Sequence, residues 1–149
     1  PGTPHPRKRI EAVARLNDAG IPCGVLMAPV LPGISDHPAQ LREVMAAAFD
    51  AGAPYVSPIL LHLRPKVREV YMEWLQDNYP DLVDRHEAMY RSAYASSADR
   101  KALSAVVAEI GESLGGPRKR RRVASSRTRA VQRSRAETER LRNEQLRLL

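Results

Sequence analysis

The residues of this chain that could do chemistry are few and scattered. Cys23 is its only cysteine, so no intrachain disulfide is possible, and no second thiol could share a metal or a cluster with it. It reads as a small residue buried at the start of a core strand. His62 stands in Leu60-Leu61-His62-Leu63-Arg64-Pro65, at the C-terminal end of an apolar run. Strand ends of this kind carry the ligand contacts of α/β folds, so His62 is either such a contact or a rim histidine held by a carbonyl. Arg64 beside it could hold a carboxylate or phosphate, or simply lie in a solvated turn. Asp36 follows Pro32-Gly33-Ile34-Ser35 and reads either as a helix N-cap or as a loop acid facing a ribose or amine. Gly33 would let backbone approach a ligand closely, or serve an ordinary turn. GxGxxG, Walker, GxSxG and HExxH patterns are absent. From spacing alone the catalytic set and the metal set are both empty.

The elements that must position these residues follow a beat. Asp18-Ala19-Gly20-Ile21-Pro22 recurs as Asp50-Ala51-Gly52-Ala53-Pro54, 32 residues later. Each copy sits between an amphipathic helix and an apolar strand that closes on a proline turn. Residues 8–19 place Ile10, Val13 and Leu16 on one face. From His37-Pro38, Leu41, Val44, Met45, Ala48 and Phe49 follow the i, i+3, i+4, i+7, i+8 spacing of a core-facing helix. Strands are predicted over 23–29 and 55–63, the first buried on both faces, and Pro58 places an edge, a bulge or a break in the second. Val67, Val70, Tyr71, Trp74 and Leu75 stripe a third helix. A helix–strand unit repeated at this length is the unit of a parallel β/α array. Two units and a third helix cannot close a barrel, so the sheet reads as cut, and the chain, beginning Pro1-Gly2 without Met, as a C-terminal fragment.

Residues 80–95, with Pro80, Leu82, His86, Met89, Tyr90 and Tyr94, suit a fourth helix. Ser96-Ser97-Ala98-Asp99 is a capping box for a fifth, carrying Leu103, Val106, Val107, Ile110 and Leu114. The chain thus divides into a β/α part (1–79), a helical appendage packed on the sheet (80–116) and a tail (117–149). Charge follows the last boundary. Residues 1–116 hold 12 Lys and Arg against 14 Asp and Glu, whereas 117–149 hold 12 against 3, a net charge of +9. Nucleic-acid binding therefore belongs to the tail, through Arg118, Lys119, Arg120, Arg121 and Arg122, by counterion release rather than sequence reading. The tail has no aromatic residue and cannot stack on bases. Its composition predicts a largely disordered, partly helical segment, and a merely solubilising terminus is the alternative. No apolar run reaches membrane-spanning length and the N-terminus lacks the apolar core of a signal peptide, which together with the single cysteine points to a cytoplasmic protein without membrane partners.

PRKRIEAVARLNDAGIPCGVLMAPVLPGISD, with LLHLRPKVREVYMEWLQDNYPDLVDRHEAMY after it, resembles the C-terminal half of a radical S-adenosylmethionine protein. The similarity is to the spore-photoproduct-lyase-like or DNA repair photolyase-like actinobacterial branch, and it covers residues 1–100. It implies the C-terminal part of a partial (β/α)6 TIM-like barrel. The parent would bind S-adenosylmethionine and a [4Fe–4S] cluster, cleaving the former to a 5′-deoxyadenosyl radical. It implies further that Met27, Pro29 and Leu31 contact adenine, that Gly33 and Asp36 form the PGxxD turn after the fifth strand, and that Leu61, His62 and Leu63 end the sixth. The CxxxCxxC motif that would hold the cluster is absent. On this reading the chain alone is inactive and its first partner is the missing N-terminal half-barrel. A parent acting on DNA is compatible with the basic tail, although the resemblance does not fix the substrate. Two rivals stand beside this expectation: a non-catalytic nucleic-acid-binding protein using the tail, and a non-catalytic remnant.

Overall fold

The computed structural model describes residues 2–116. The tail arginines and Lys119 lie outside the described residues. In order, the elements are α1 (Pro6–Asp18), β1 (Val25–Val30), α2 (Pro38–Asp50), β2 (Val56–Leu60), α3 (Pro65–Asn78), a 3-10 turn (Pro80–Leu82), α4 (Val83–Met89) and α5 (Ser97–Ser113). The fold is mixed α/β around two parallel strands.

The repeat extends further than the Asp-Ala-Gly motif. α1 and α2 are both 13 residues long, and each opens on a His-Pro pair, His5-Pro6 and His37-Pro38. Proline at the first helical position has its φ already set and lacks an N–H that would go unpaired there. The preceding histidine caps the turn: His5 Nδ1 accepts from the Arg7 N–H and His37 Nδ1 from the Ala39 N–H, both at 3.3 Å. Both helices end alike. Gly20 and Gly52 take φ of +81° and +80°, a conformation that glycine enters without Cβ strain. Their N–H groups bond Asn17 and Phe49 carbonyls, while Ile21 and Ala53 bond Leu16 and Ala48. The paired 6→1 and 5→2 bonds close the helix and turn the chain into the strand. Asn17 then fastens the first turn: its Oδ1 accepts from the Cys23 N–H at 2.9 Å and its Nδ2 donates to the Cys23 carbonyl at 3.0 Å. Cys23 is thereby held half-buried two residues before β1, not inside the strand as expected.

β1 and β2 pair Val25 with Val56, Leu26 with Ser57, Met27 with Pro58 and Val30 with Leu60. Three steps on β1 match two on β2, so β1 carries the extra residue of a bulge between Met27 and Val30, where Pro29 has no N–H to give the ladder. Both strands are shorter than predicted. Met27, Val30 and Leu60 face one core with Leu41, Met45 and Phe49 of α2 and Leu103, Val107 and Ile110 of α5. The expectation that β1 is buried on both faces fails. Leu26 is 60% exposed and Pro29 is exposed, because among the described residues nothing covers that side of the sheet. An apolar run records the absence of charge, not the number of covered faces.

The fourth helix is also shorter than expected. α4 stops at Met89, and Ser92 Oγ takes the Tyr94 N–H, offering the backbone a turn in place of helix. Ser96 caps α5, though as half of the expected box: its Oγ accepts from the Asp99 N–H and donates to Asp99 Oδ2 at 2.7 Å, so the Asp99 carboxylate takes the hydroxyl. No helix of the described residues is long and apolar enough to cross a membrane.

Candidate functional site at the strand ends

Where β1 ends, residues 31–36 fold back on themselves. The Leu31 carbonyl accepts from the Ile34 and Ser35 N–H groups, and Ser35 Oγ accepts from the Leu31 N–H at 2.9 Å. Gly33 has φ +76°, and its N–H donates to Asp36 Oδ1 at 2.8 Å. Asp36 therefore closes the loop rather than capping α2, a task that falls to His37. Just beyond, the Leu61 N–H donates to the Val30 carbonyl at 3.1 Å and draws the two strand ends together.

A buried histidine holds this loop from beneath. His86 of α4 has no exposed surface, and its Nε2 lies 2.8 Å from the Pro32 carbonyl. A carbonyl only accepts, so Nε2 carries the proton. Nδ1 shares a hydrogen bond with the Tyr71 hydroxyl at 3.2 Å. Tyr71 and Tyr90 flank the imidazole with ring centroids 5.6 and 5.8 Å away. Arg68 of α3 donates to the Tyr90 carbonyl. Thus α3 and α4 together fix Pro32, which is itself buried.

Between the loop, the end of β2, α4 and α5 lies a cavity of about 210 Å3, lined by Asp36, Arg85 and Asp99 over an apolar floor of Leu60, Met89 and Leu103. Tyr90 is buried nearby, and its hydroxyl has no hydrogen-bond partner among the described residues. Burial pushes the Tyr71 hydroxyl up to about 12. Burial, with the charges of Tyr71 and Asp99 behind it, pushes Tyr90 to about 12 as well. Both are raised from an ordinary value near 10, so the fold favours the neutral phenols. The stability they confer is whole below pH 10 and is lost as pH climbs toward about 12, where the unfolded chain ionises first. Urea unfolding followed from pH 9 to 12 should show that fall, and Tyr90→Phe should flatten it. At neutral pH the same substitution removes an unpaired buried hydroxyl and should raise stability by about 1 kcal/mol.

Of the residues expected at the site, Asp36 lines the cavity and Gly33 shapes its loop. Leu31 and Leu61 are half-buried at the strand ends, and Pro29 is exposed on the open face. His62 is exposed and bridges to Tyr94 in antiparallel register, their rings edge-on with centroids 4.6 Å apart. Met27 and Leu63 are enclosed in the core. Arg64 is exposed ahead of α3 and gives it no side-chain cap. Sequence reasoning missed His86, Tyr71 and Tyr90 as loop supports, placing them in helical stripes. The available signal was a lone imidazole between Leu82 and Met89 on an otherwise apolar face. Among the described residues no group of three or more His, Cys, Asp or Glu side chains could hold a metal ion.

Uncharacterized proteins of Mycobacterium bovis and of two Mycobacterium tuberculosis strains are each 36% identical to this chain over 110 residues. The alignment takes in 73% of this chain and 32% of each relative, so the chain spans about a third of the length of the curated relatives it matches. No family model and no solved structure matches it.

Proposed function

We propose that this chain forms part of a (β/α)6-type barrel in a radical S-adenosylmethionine enzyme, where its strand ends wall the adenosyl side of the cofactor pocket. The observation that carries this reading is the pair of helix–strand repeats in parallel register, with adjoining carboxyl ends and one uncovered sheet face. The remaining strands of such a barrel would face it from across the interior, and a ligand above the strand ends would close it. Pro29 is exposed on that face, Leu31 is half-buried at the strand end and His62 is exposed beside Tyr94. Each is within reach of a nucleoside in this reading, and Gly33 brings bare backbone to the loop. Met27 and Leu63 act in this reading by packing the strands and not by touching the cofactor. A single cysteine does not fit a three-cysteine cluster, so the ligands of a [4Fe–4S] centre come from elsewhere in the enzyme. The chemistry of such a group when bound is one-electron reduction of S-adenosylmethionine; the residues of this chain bind and orient.

The test uses the complete product of the reading frame containing this chain, reconstituted anaerobically with iron and sulfide. Iron uptake and reductive release of 5′-deoxyadenosine are expected. A product that takes up no iron and leaves S-adenosylmethionine intact would overturn the proposal.

The contrast between a net −2 body and a net +9 tail favours nucleic acid as a substrate or guide surface for the same enzyme. Affinity for duplex DNA should then fall steeply with salt, and binding that persists after residues 117–149 are removed would exclude the tail's part in it.

A further inference from the structure

α3 presents to solvent what a helix ordinarily hides. Val67 is 51% exposed, Val70 69% and Trp74 40%, and their i, i+3, i+7 spacing makes one stripe. Alongside it, at i, i+4, i+8, run Glu69, Glu73 and Asp77, all exposed and without an ion pair among the described residues. Like charges at that spacing repel. Arg68, which could have neutralised them, is turned inward to the Tyr90 carbonyl. Past the helix end the Tyr79 ring packs on Trp74, centroids 5.5 Å apart, and widens the aromatic ledge. An apolar and aromatic strip edged by unpaired carboxylates matches one chemistry closely. Guanidinium groups stack on indole and phenol faces and pair with carboxylates in fork geometry.

We propose that this face is the docking site of the chain's own arginine-rich segment, residues 118–129. That segment holds seven Lys and Arg and no acid, and it starts two residues after the described fold ends. Twelve extended residues reach roughly 40 Å, enough to cross a domain of this size. Docking neutralises the acidic row, covers the stripe and withholds the same arginines from phosphate ligands. The inference stands apart from the barrel reading, since it needs only α3 and the tail.

Trp74 is the only tryptophan of the chain and reports on its own stripe. The experiment is acrylamide quenching of its fluorescence in the full chain at low and high salt. At low salt the quenching constant should rise roughly twofold when Glu69→Gln, Glu73→Gln and Asp77→Asn are combined, because the stacked cations leave. Replacing the five basic residues from Arg118 to Arg122 with Gln should give the same rise without touching α3, which guards against a variant that merely misfolds. High salt should bring the wild type to the level of both variants. Equal quenching of the wild type and the tail variant at low salt would overturn the proposal. So would protection of Trp74 that grows with protein concentration, since that assigns the face to a second copy.

Discussion

Replacing His86 with alanine is expected to cost about 3–5 kcal/mol, a large share of what a domain of this size has. The imidazole has no exposed surface, so its removal leaves a cavity among Tyr71, Tyr90 and Pro32. It also orphans two polar groups at once, the Pro32 carbonyl and the Tyr71 hydroxyl. Each unsatisfied buried group costs about 1–3 kcal/mol, beyond the packing lost. Urea midpoints of the full chain measure the loss. Tyr71→Phe removes one hydroxyl and leaves the bond to Pro32 in place, so it should cost only about 1 kcal/mol. A double-mutant cycle over the two positions should then show coupling, because the second hydrogen bond is already gone once the imidazole is removed. A loss below about 1 kcal/mol for His86→Ala would mean that the loop is held by its own hydrogen bonds and that α4 merely rests against it.

How much of this was legible in the sequence depended on whether the determining contacts were local. The 32-residue repeat became a repeat of structure because its parts act within one turn. Glycine closes each helix, proline forbids its continuation, and the apolar run then goes extended. The Ser96 cap and the stripe of Leu41, Met45, Ala48 and Phe49 came through for the same reason. What was lost is what lies between elements. Periodicity marks the apolar face of a helix without saying whether anything covers it. Val44, Val67, Val70 and Trp74 fit their stripes as well as Leu75 does, yet only Leu75 of these is buried. At the site, Asp36 and His37 are both able to cap, and their division of labour depends on the left-handed Gly33 placing its N–H toward the carboxylate. The partners of His86 were illegible because they are 15 and 54 residues away in sequence.

Gly33→Val tests that loop from the other side and should cost about 3 kcal/mol. A φ of +76° is strained for any residue with a Cβ, by about 1–2 kcal/mol, and more for a β-branched one. A Cβ built there would also lie 3.0 and 3.1 Å from the two Leu82 methyl carbons, so the Leu82 side chain would have to give by a few tenths of an ångström. Overpacking of this kind adds about 1–3 kcal/mol where the neighbour cannot yield. Gly33→Asn separates the two causes, because asparagine tolerates the left-handed conformation while its side chain still meets Leu82. If Asn costs as much as Val, crowding dominates and the loop is set by its packing on Leu82 of the 3-10 turn. If Asn is nearly neutral, the backbone conformation itself is what the site requires. If the proposed function holds, the complete protein gives a second readout. A loop whose Gly33 N–H no longer reaches Asp36 should weaken S-adenosylmethionine binding by more than the loss of stability explains. His86→Ala, acting through Pro32 on the same loop, should weaken it in the same direction.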